Sequence, residues 1–284
     1  MDADVVAVRR RPLSASGLLR ACHPVPTVAV TLLMTALAVA CGQDAAGCLL
    51  VAAAVLTGQL SVGWSNDAVD AARDRAVGRR TKPVVAGSVG VTAVRGAAFT
   101  AVALCVPLSL AYGPLAGTVH LVGVAAAWAY NFGLKATALS WLPYAVGFAA
   151  LPSFVSLGLE GRPWPPWWIV VSAALLGVGA HLANVLPDIG DDLATGVLGW
   201  PQRLGPARAR LVLPVPLVTA TALPAFARPG PAGSAEAAAV SVALLLAVGG
   251  ALLGRRRPRL PFLAAIIVAA VGVAMLLRQG AAVT

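Results

Sequence analysis

Acidic residues are scarce in this chain and they are clustered. Six of the 11 fall in two short groups, Asp67, Asp70 and Asp74, then Asp188, Asp191 and Asp192. Each group begins with an asparagine. Asn66, Asp70 and Asp74 read NxxxDxxxD, Asn184, Asp188 and Asp192 read NxxxDxxxD again, and every position is offset by 118 residues. Three matching polar positions in so apolar a chain read as a diverged internal repeat. On a helix, a step of four residues drifts by about 40° and rises by about 6 Å, so each triplet predicts one stripe of side chains at a helix end. Two facing stripes would hold the carboxylates of Asp70, Asp74, Asp188 and Asp192 around one cavity. So many acids close together repel and shift each other's pKa values unless a cation neutralises them. Hard oxygen donors suit Mg²⁺, which is often held jointly by carboxylates and by the phosphate oxygens of a substrate. The spacing therefore predicts a Mg²⁺ site whose bridging ligand is a diphosphate.

Basic residues stand beside both groups. Arg75, Arg79, Arg80 and Lys82 follow the first, Arg203 follows the second, and Lys135 lies between them. Arg75, Arg79, Lys82 and Lys135 are the candidates to neutralise a departing diphosphate, although basic residues also gather on the inner side of a membrane without touching a ligand. Asp67 and Asp191 fall off the repeated stripes, and each is read as an extra ligand or a proton acceptor. Asn66 and Asn184 are read as hydrogen-bonding partners beside the acids. Tyr130 belongs to an aromatic group with Trp64, Trp128, Phe132, Trp141, Tyr144 and Phe148, which suits either a cation-stabilising pocket wall or an interfacial belt. His181, three residues before Asn184, shares that helix face and is either a proton acceptor or a packed core histidine.

The elements that position these residues are membrane elements. A chain that is 59% hydrophobic and 11% charged has too little polar surface to face water. Nine apolar stretches, 25–41, 47–64, 96–112, 115–132, 140–158, 167–186, 211–227, 235–253 and 261–277, are each about the length of a membrane-crossing helix. The expectation is an all-α, polytopic protein of about nine transmembrane helices around a central cavity. It is read as one domain over 1–284, with residues 1–22 as a cytoplasmic tail. With the N-terminus inside, 18 of the 21 Lys and Arg fall on the inner side and only Arg162, Arg228 and Arg278 on the outer. That bias makes the net charge of +10 a topology signal rather than a nucleic-acid footprint. Four spans separate the two acidic groups, so both open on the cytoplasmic side of the cell membrane. The first apolar run reads as a retained helix rather than a signal peptide. Cys22, Cys41, Cys48 and Cys105 lack metal-ligand spacing and are assigned no function.

These residues resemble the UbiA superfamily of intramembrane prenyltransferases. The stretch from Asn66 through Asp67, Asp70, Asp74 and Arg75 to Lys82, Pro83 and Gly87 is similar to the family's first aspartate-rich motif. The stretch from Asn184 through Asp188, Asp191 and Asp192 to Gly196, with Arg203, Leu204 and Gly205 behind it, is similar to the second. Tyr130 to Lys135 and Arg20 to Pro24 are weaker matches, and Thr195 to Pro201 departs from the family's usual sequence. The resemblance implies Mg²⁺ and a prenyl diphosphate bound between the motifs, the isoprenoid tail running towards lipid, and transfer to a small, lipophilic or aromatic acceptor. A cyclase of the same fold, which uses the prenyl diphosphate alone, needs the same motifs and stays open. A transporter is the more distant alternative, because intramembrane acids and repeats also suit ion paths. A CDP-alcohol phosphotransferase would need a contiguous DGxxAR segment, and none is present.

Overall fold

The computed structural model describes residues 14–227 and 232–278. Arg9, Arg10, Arg11 and Arg228, used in the charge count, lie outside the described residues, as does most of the expected tail. In chain order the helices are α1 (Ala15–Ala21), α2 (Pro24–Ala40), α3 (Ala45–Ala76), α4 (Pro83–Ala86), α5 (Val91–Tyr112), α6 (Pro114–Asn131) and α7 (Leu142–Leu157). They continue with α8 (Trp167–Val185), α9 (Ile189–Ala194), α10 (Trp200–Val212), α11 (Pro214–Phe226), α12 (Ser234–Leu253) and α13 (Leu260–Arg278), and a 3₁₀ turn spans Leu134–Ala136. Among the described residues there is no strand, as the all-α expectation requires. Residues 15–21, read as part of the tail, form a helix packed against α3 and α4.

Each of the nine apolar stretches coincides with one long helix: α2, α3, α5, α6, α7, α8, α11, α12 and α13. By length and apolarity alone, α3, α5, α8 and α12 qualify as membrane-crossing. The pairs α1/α2 and α10/α11, bent by 68° and 49°, would bring that to six. Among the described residues the long helices are arranged in a ring in which each packs on its successor, and α13 returns to α2.

Local chemistry sets the ends of these helices. Asp44 caps α3, its Oδ1 accepting the Gly47 N–H at 2.7 Å, and Ser14 Oγ accepts the Gly17 N–H at 3.1 Å to start α1. Proline occupies the first turn of α2, α6 and α7, where its missing N–H costs nothing. Two apolar cores hold the ring. One joins α2, α3 and α7 through Leu37, Val51 and Phe154, and the other joins α8, α11, α12 and α13 through Leu182, Leu217, Ala247 and Val268, all buried.

Close approach between α7 and α8 depends on Gly177. A Cβ there would sit 2.3 Å from the Tyr144 carbonyl oxygen. Gly177→Ala is therefore expected to destabilise the protein by about 1–3 kcal/mol, the usual range for overpacking. A thermal melt in detergent measures it, and an unchanged melting temperature would refute this account of the α7–α8 contact.

Candidate active site

The inward faces of α2, α3, α6, α7 and α8 enclose a cavity of about 430 Å³. Asn66 and Asp70 of α3 and Asn184, Asp188 and Asp192 of the second group all line it, together with Arg79, Lys82, Tyr130 and Lys135. The rest of the wall is largely apolar, with Val30, Val62, Val124 and Leu151 among its residues.

Arg79 ties the two acidic groups together. Its Nη1 lies 3.5 Å from Asp74 Oδ1, and its Nη2 lies 3.2 Å from Asp188 Oδ1 and 3.3 Å from Asp191 Oδ2. Burial works against the Arg79 charge, but Asp188 and Asp74 outweigh it and hold the guanidinium above its ordinary range. At Asp188 burial pushes the carboxyl up, and Arg79 opposes that shift. Groups 118 residues apart in sequence thus meet at one side chain.

Asp70 is the most heavily contacted acid. Lys135 Nζ donates to its Oδ1, while Arg73 Nη2 at 2.8 Å and Asn66 Nδ2 at 3.2 Å donate to its Oδ2. Burial pushes the Lys135 ammonium below the ordinary lysine range, with Asp70 pulling the other way. Asn66 also donates to Asn131 Oδ1 at 3.2 Å, and Asn131 is anchored in turn by donating to Ser65 Oγ at 2.7 Å. Gln202 Nε2 donates to Asp192 Oδ2 at 2.8 Å, which fastens α10 to the second group. Asn184 Nδ2 donates to the Tyr144 hydroxyl at 3.2 Å. The Tyr144 ring meets Tyr130 edge-on at 5.2 Å.

Several expectations need correction. The second triplet does not form a stripe on one helix: α8 ends at Val185, and Asp188 and Asp192 belong to the separate α9 segment. Pro187 lies at the break, where its missing N–H and its ring favour a kink or an end to the helix. Asp74 does not line the cavity, because the drift along α3 accumulates to about 80° over eight residues and turns it from Asn66 towards Arg79. Asp67, next to Asn66, is turned away too. It is buried at 2% exposure and pairs with Lys82 at 2.6 Å and His23 at 3.0 Å. His23 takes a left-handed conformation, φ 56°, at the bend between α1 and α2, a strained backbone for a residue with a side chain. Asp191 is half-exposed and, among the described residues, meets only Arg79 of the cations. Arg75 is exposed and off the cavity. Five residues past Asp70, it faces about 140° away, whereas Arg73, three residues on, shares the Asp70 face. His181 is 1% exposed and sits 3.1 Å from Ser140 Oγ through Nε2, a packed histidine. Among the described residues no three His, Cys, Asp or Glu side chains gather closely enough to enclose an ion. Protein cations stand between the acids instead.

The model of the UbiA prenyltransferase family matches residues 25–261. This chain belongs to that family. The matched region runs from α2 into α13 and so includes both acidic groups and the cavity wall except Cys22 and His23 at its α1–α2 corner and Phe262. A UbiA homologue from Archaeoglobus fulgidus bound to GPP and Mg²⁺ superposes with a TM-score of 0.68 at 17% identity, covering 91% of this chain and 97% of that one. The same homologue bound to DMAPP and Mg²⁺ gives 0.66 at 16% identity, covering 92% and 99%. A digeranylgeranylglyceryl phosphate synthase structure gives 0.64 at 15% identity, covering 94% and 98%. At these identities the likeness establishes a shared UbiA fold, and with it a multi-pass membrane protein. No curated protein matches in sequence.

Proposed function

We propose that this UbiA protein transfers a prenyl group from a prenyl diphosphate to a small, lipophilic or aromatic acceptor inside the membrane. The observation that carries this reading is the convergence of the two acidic groups on Arg79 at one end of an otherwise apolar cavity. Such a cavity suits a molecule that is strongly anionic at one end and hydrocarbon along the rest. In this reading the nine long helices cross the cell membrane, the two motifs are halves of a repeat, and both open on the cytoplasmic side with the N-terminus. Residues 1–284 then form a single prenyltransferase domain.

The residues present fit Mg²⁺. Asp70, Asp188 and Asp192 offer oxygen donors on the cavity wall, and Asp74 Oδ1 is buried without a hydrogen bond, its nearest cation Arg79 at 3.5 Å. Bound there with Asp70, Asp74, Asp188 and Asp192, Mg²⁺ would withdraw charge from the diphosphate as the C1–oxygen bond breaks. Arg73, Arg79, Lys82 and Lys135, released from their acid partners, are placed to bind the diphosphate oxygens. Asn66 orients Asp70, Asn184 holds the Tyr144 hydroxyl, and Asp191 remains available to take the proton lost from the acceptor. The faces of Tyr130 and Tyr144 stabilise the allylic cation while the apolar wall keeps water from it.

Purified protein in detergent, given geranyl diphosphate and a panel of phenolic acceptors, is expected to form prenylated product, to lose all activity in EDTA and to regain it with Mg²⁺. Activity that persists in EDTA would remove the metal from this reading. Cyclic hydrocarbon made without any acceptor would replace transfer by ring closure.

A further inference from the structure

Beyond the second acidic group the chain is one-sided in charge. From residue 193 to residue 284 it carries nine arginines and one acid, Glu236. Six of those arginines gather at one junction. Arg208 and Arg210 flank Ala209 on α10, and Arg255, Arg256, Arg257 and Arg259 occupy the turn between α12 and α13. The helix α10 packs on α12, and Ala209 shares a buried core with Ala251, four residues before Arg255. Glu236 stands at the other end of α12, about 25 Å from Leu253 at 1.5 Å per residue.

The turn is short and tied down. The Arg256 and Arg257 N–H groups both donate to the Leu253 carbonyl at 2.9 Å, and the Leu260 N–H donates to that of Arg257 at 3.0 Å. Gly254 permits the close return, since a Cβ there would lie 2.7 Å from Pro261 Cγ. The four arginine side chains of the turn are exposed. Like charges held this close repel one another unless an anion joins them. Among the described residues, none of the six forms an ion pair with a carboxylate. Arg210 adds an independent observation: its Nε is buried and, among the described residues, has no hydrogen-bond partner, a desolvated donor left uncompensated. A bias of basic residues to one side of a membrane explains the face they occupy, but not this concentration or the orphaned Arg210 donor.

Apolar side chains on the same two helices point outward. Leu211 on α10 and Leu245 and Leu252 on α12 are 79%, 73% and 69% exposed. Leu245 and Leu252, seven residues apart, share one face of α12, and lipid tails are the apolar medium such a face meets in a bilayer. Cations at a helix end thus adjoin leucines along its length.

We propose that the junction of α10 with the α12–α13 turn binds an anionic phospholipid of the surrounding leaflet. Its phosphate lies among the six arginines and its acyl chains lie along Leu245 and Leu252. The planar guanidinium fork donates paired hydrogen bonds to phosphate oxygens, and basic clusters at the ends of membrane helices attract anionic headgroups. None of the six arginines lines the central cavity, so this site is separate from the one that holds the acids.

The test uses full-length protein, delipidated in detergent and titrated with phosphatidylglycerol, phosphatidylcholine or inorganic phosphate. Native mass spectrometry reads Kd for each lipid, and a thermal melt is recorded with all three. Phosphatidylglycerol should bind at least about tenfold more tightly than phosphatidylcholine and raise Tm, because each arginine near a membrane surface is worth about fivefold in affinity. Inorganic phosphate should leave Tm unchanged. Arg255→Gln/Arg257→Gln should weaken phosphatidylglycerol binding by at least about tenfold on the same scale. Arg80→Gln/Arg95→Gln, which removes the same charge from two exposed positions on other loops and helices, should leave it unchanged. Arg208→Gln repeats the test on α10 should the turn variant fail to fold. Equal Kd for the two lipids, or an equal loss in both double variants, would overturn the site and leave only general surface charge. A rise in Tm with inorganic phosphate that matches the rise with phosphatidylglycerol would also overturn it, since the arginines would then hold a free anion.

Discussion

Asp188→Ala should lose prenyl transfer to the background level, a fall of at least roughly 10²–10³-fold, while the protein melts as the wild type does. The side chain is 47% exposed and its nearest cation is Arg79 at 3.2 Å, so its removal empties no packed space and strands no buried charge. Asp70→Ala should lose activity as completely but should not keep its stability. Asp70 is 6% exposed and neutralises both Lys135 and Arg73. Breaking a buried pair by removing one partner costs about 3–5 kcal/mol. Relief of repulsion in a crowded acidic group would predict an unharmed fold, but the acids here are already paired. The measurement is product formation from geranyl diphosphate with a melting curve for each variant. Wild-type turnover in Asp188→Ala would exclude the second group from the chemistry, and an unshifted melt in Asp70→Ala would contradict the pairing.

Arg79→Gln should move two quantities in opposite directions. As wild type, Arg79 stands between Asp74 and Asp188, the space a divalent ion must enter, and it is then free to bind the diphosphate. Without it, KM for the prenyl diphosphate should rise by about tenfold or more, the loss of one charge-assisted hydrogen bond. The Mg²⁺ concentration for half-maximal activity should fall, because no guanidinium competes for the acids. A lysine cannot substitute fully, since it lacks the planar fork that spans two carboxylates. Kinetics at varied Mg²⁺ and substrate separate the two effects. A variant in which both constants rise would show Arg79 to be a scaffold for the acids rather than a ligand for diphosphate.

Much of this could be read from the sequence. The nine apolar stretches each became a helix because a bilayer-length run of apolar residues has few other ways to satisfy its backbone. The two acidic groups share one cavity because acids that deep in an apolar chain need shared partners. What stayed hidden was rotation and tertiary closure. Arg73 was passed over for Arg75, although the three-residue rule about Asp70 was available to select it. Asn131 carried a faint signal as a polar residue ending the apolar α6, but its bond to Asn66 depends on how α3 and α6 cross. Gln202 carried none, since its approach to Asp192 is made by the folding of α10 over the second group. The two NxxxDxxxD patterns look identical in sequence, yet Pro187 bends one of them, so pattern identity did not guarantee a common backbone.

The order of helices around the ring is also their order along the chain, closed where α13 meets α2 and braced where α13 meets α8, α2 meets α7 and α3 meets α6. Each long helix can therefore find a neighbour as soon as it is synthesised, which keeps most contacts local and ring assembly stepwise. The acids, by contrast, belong to α3 and to the turn after α8, which are not adjacent in the ring; they face one another only because the wall between them curves. The half of the site on α3 is thus made early in synthesis and waits, with Asp70 already matched by Lys135 and Arg73, for its counterpart to arrive. Internal pairing lets the nascent chain hold such costly charges at the membrane before any ligand is there to use them.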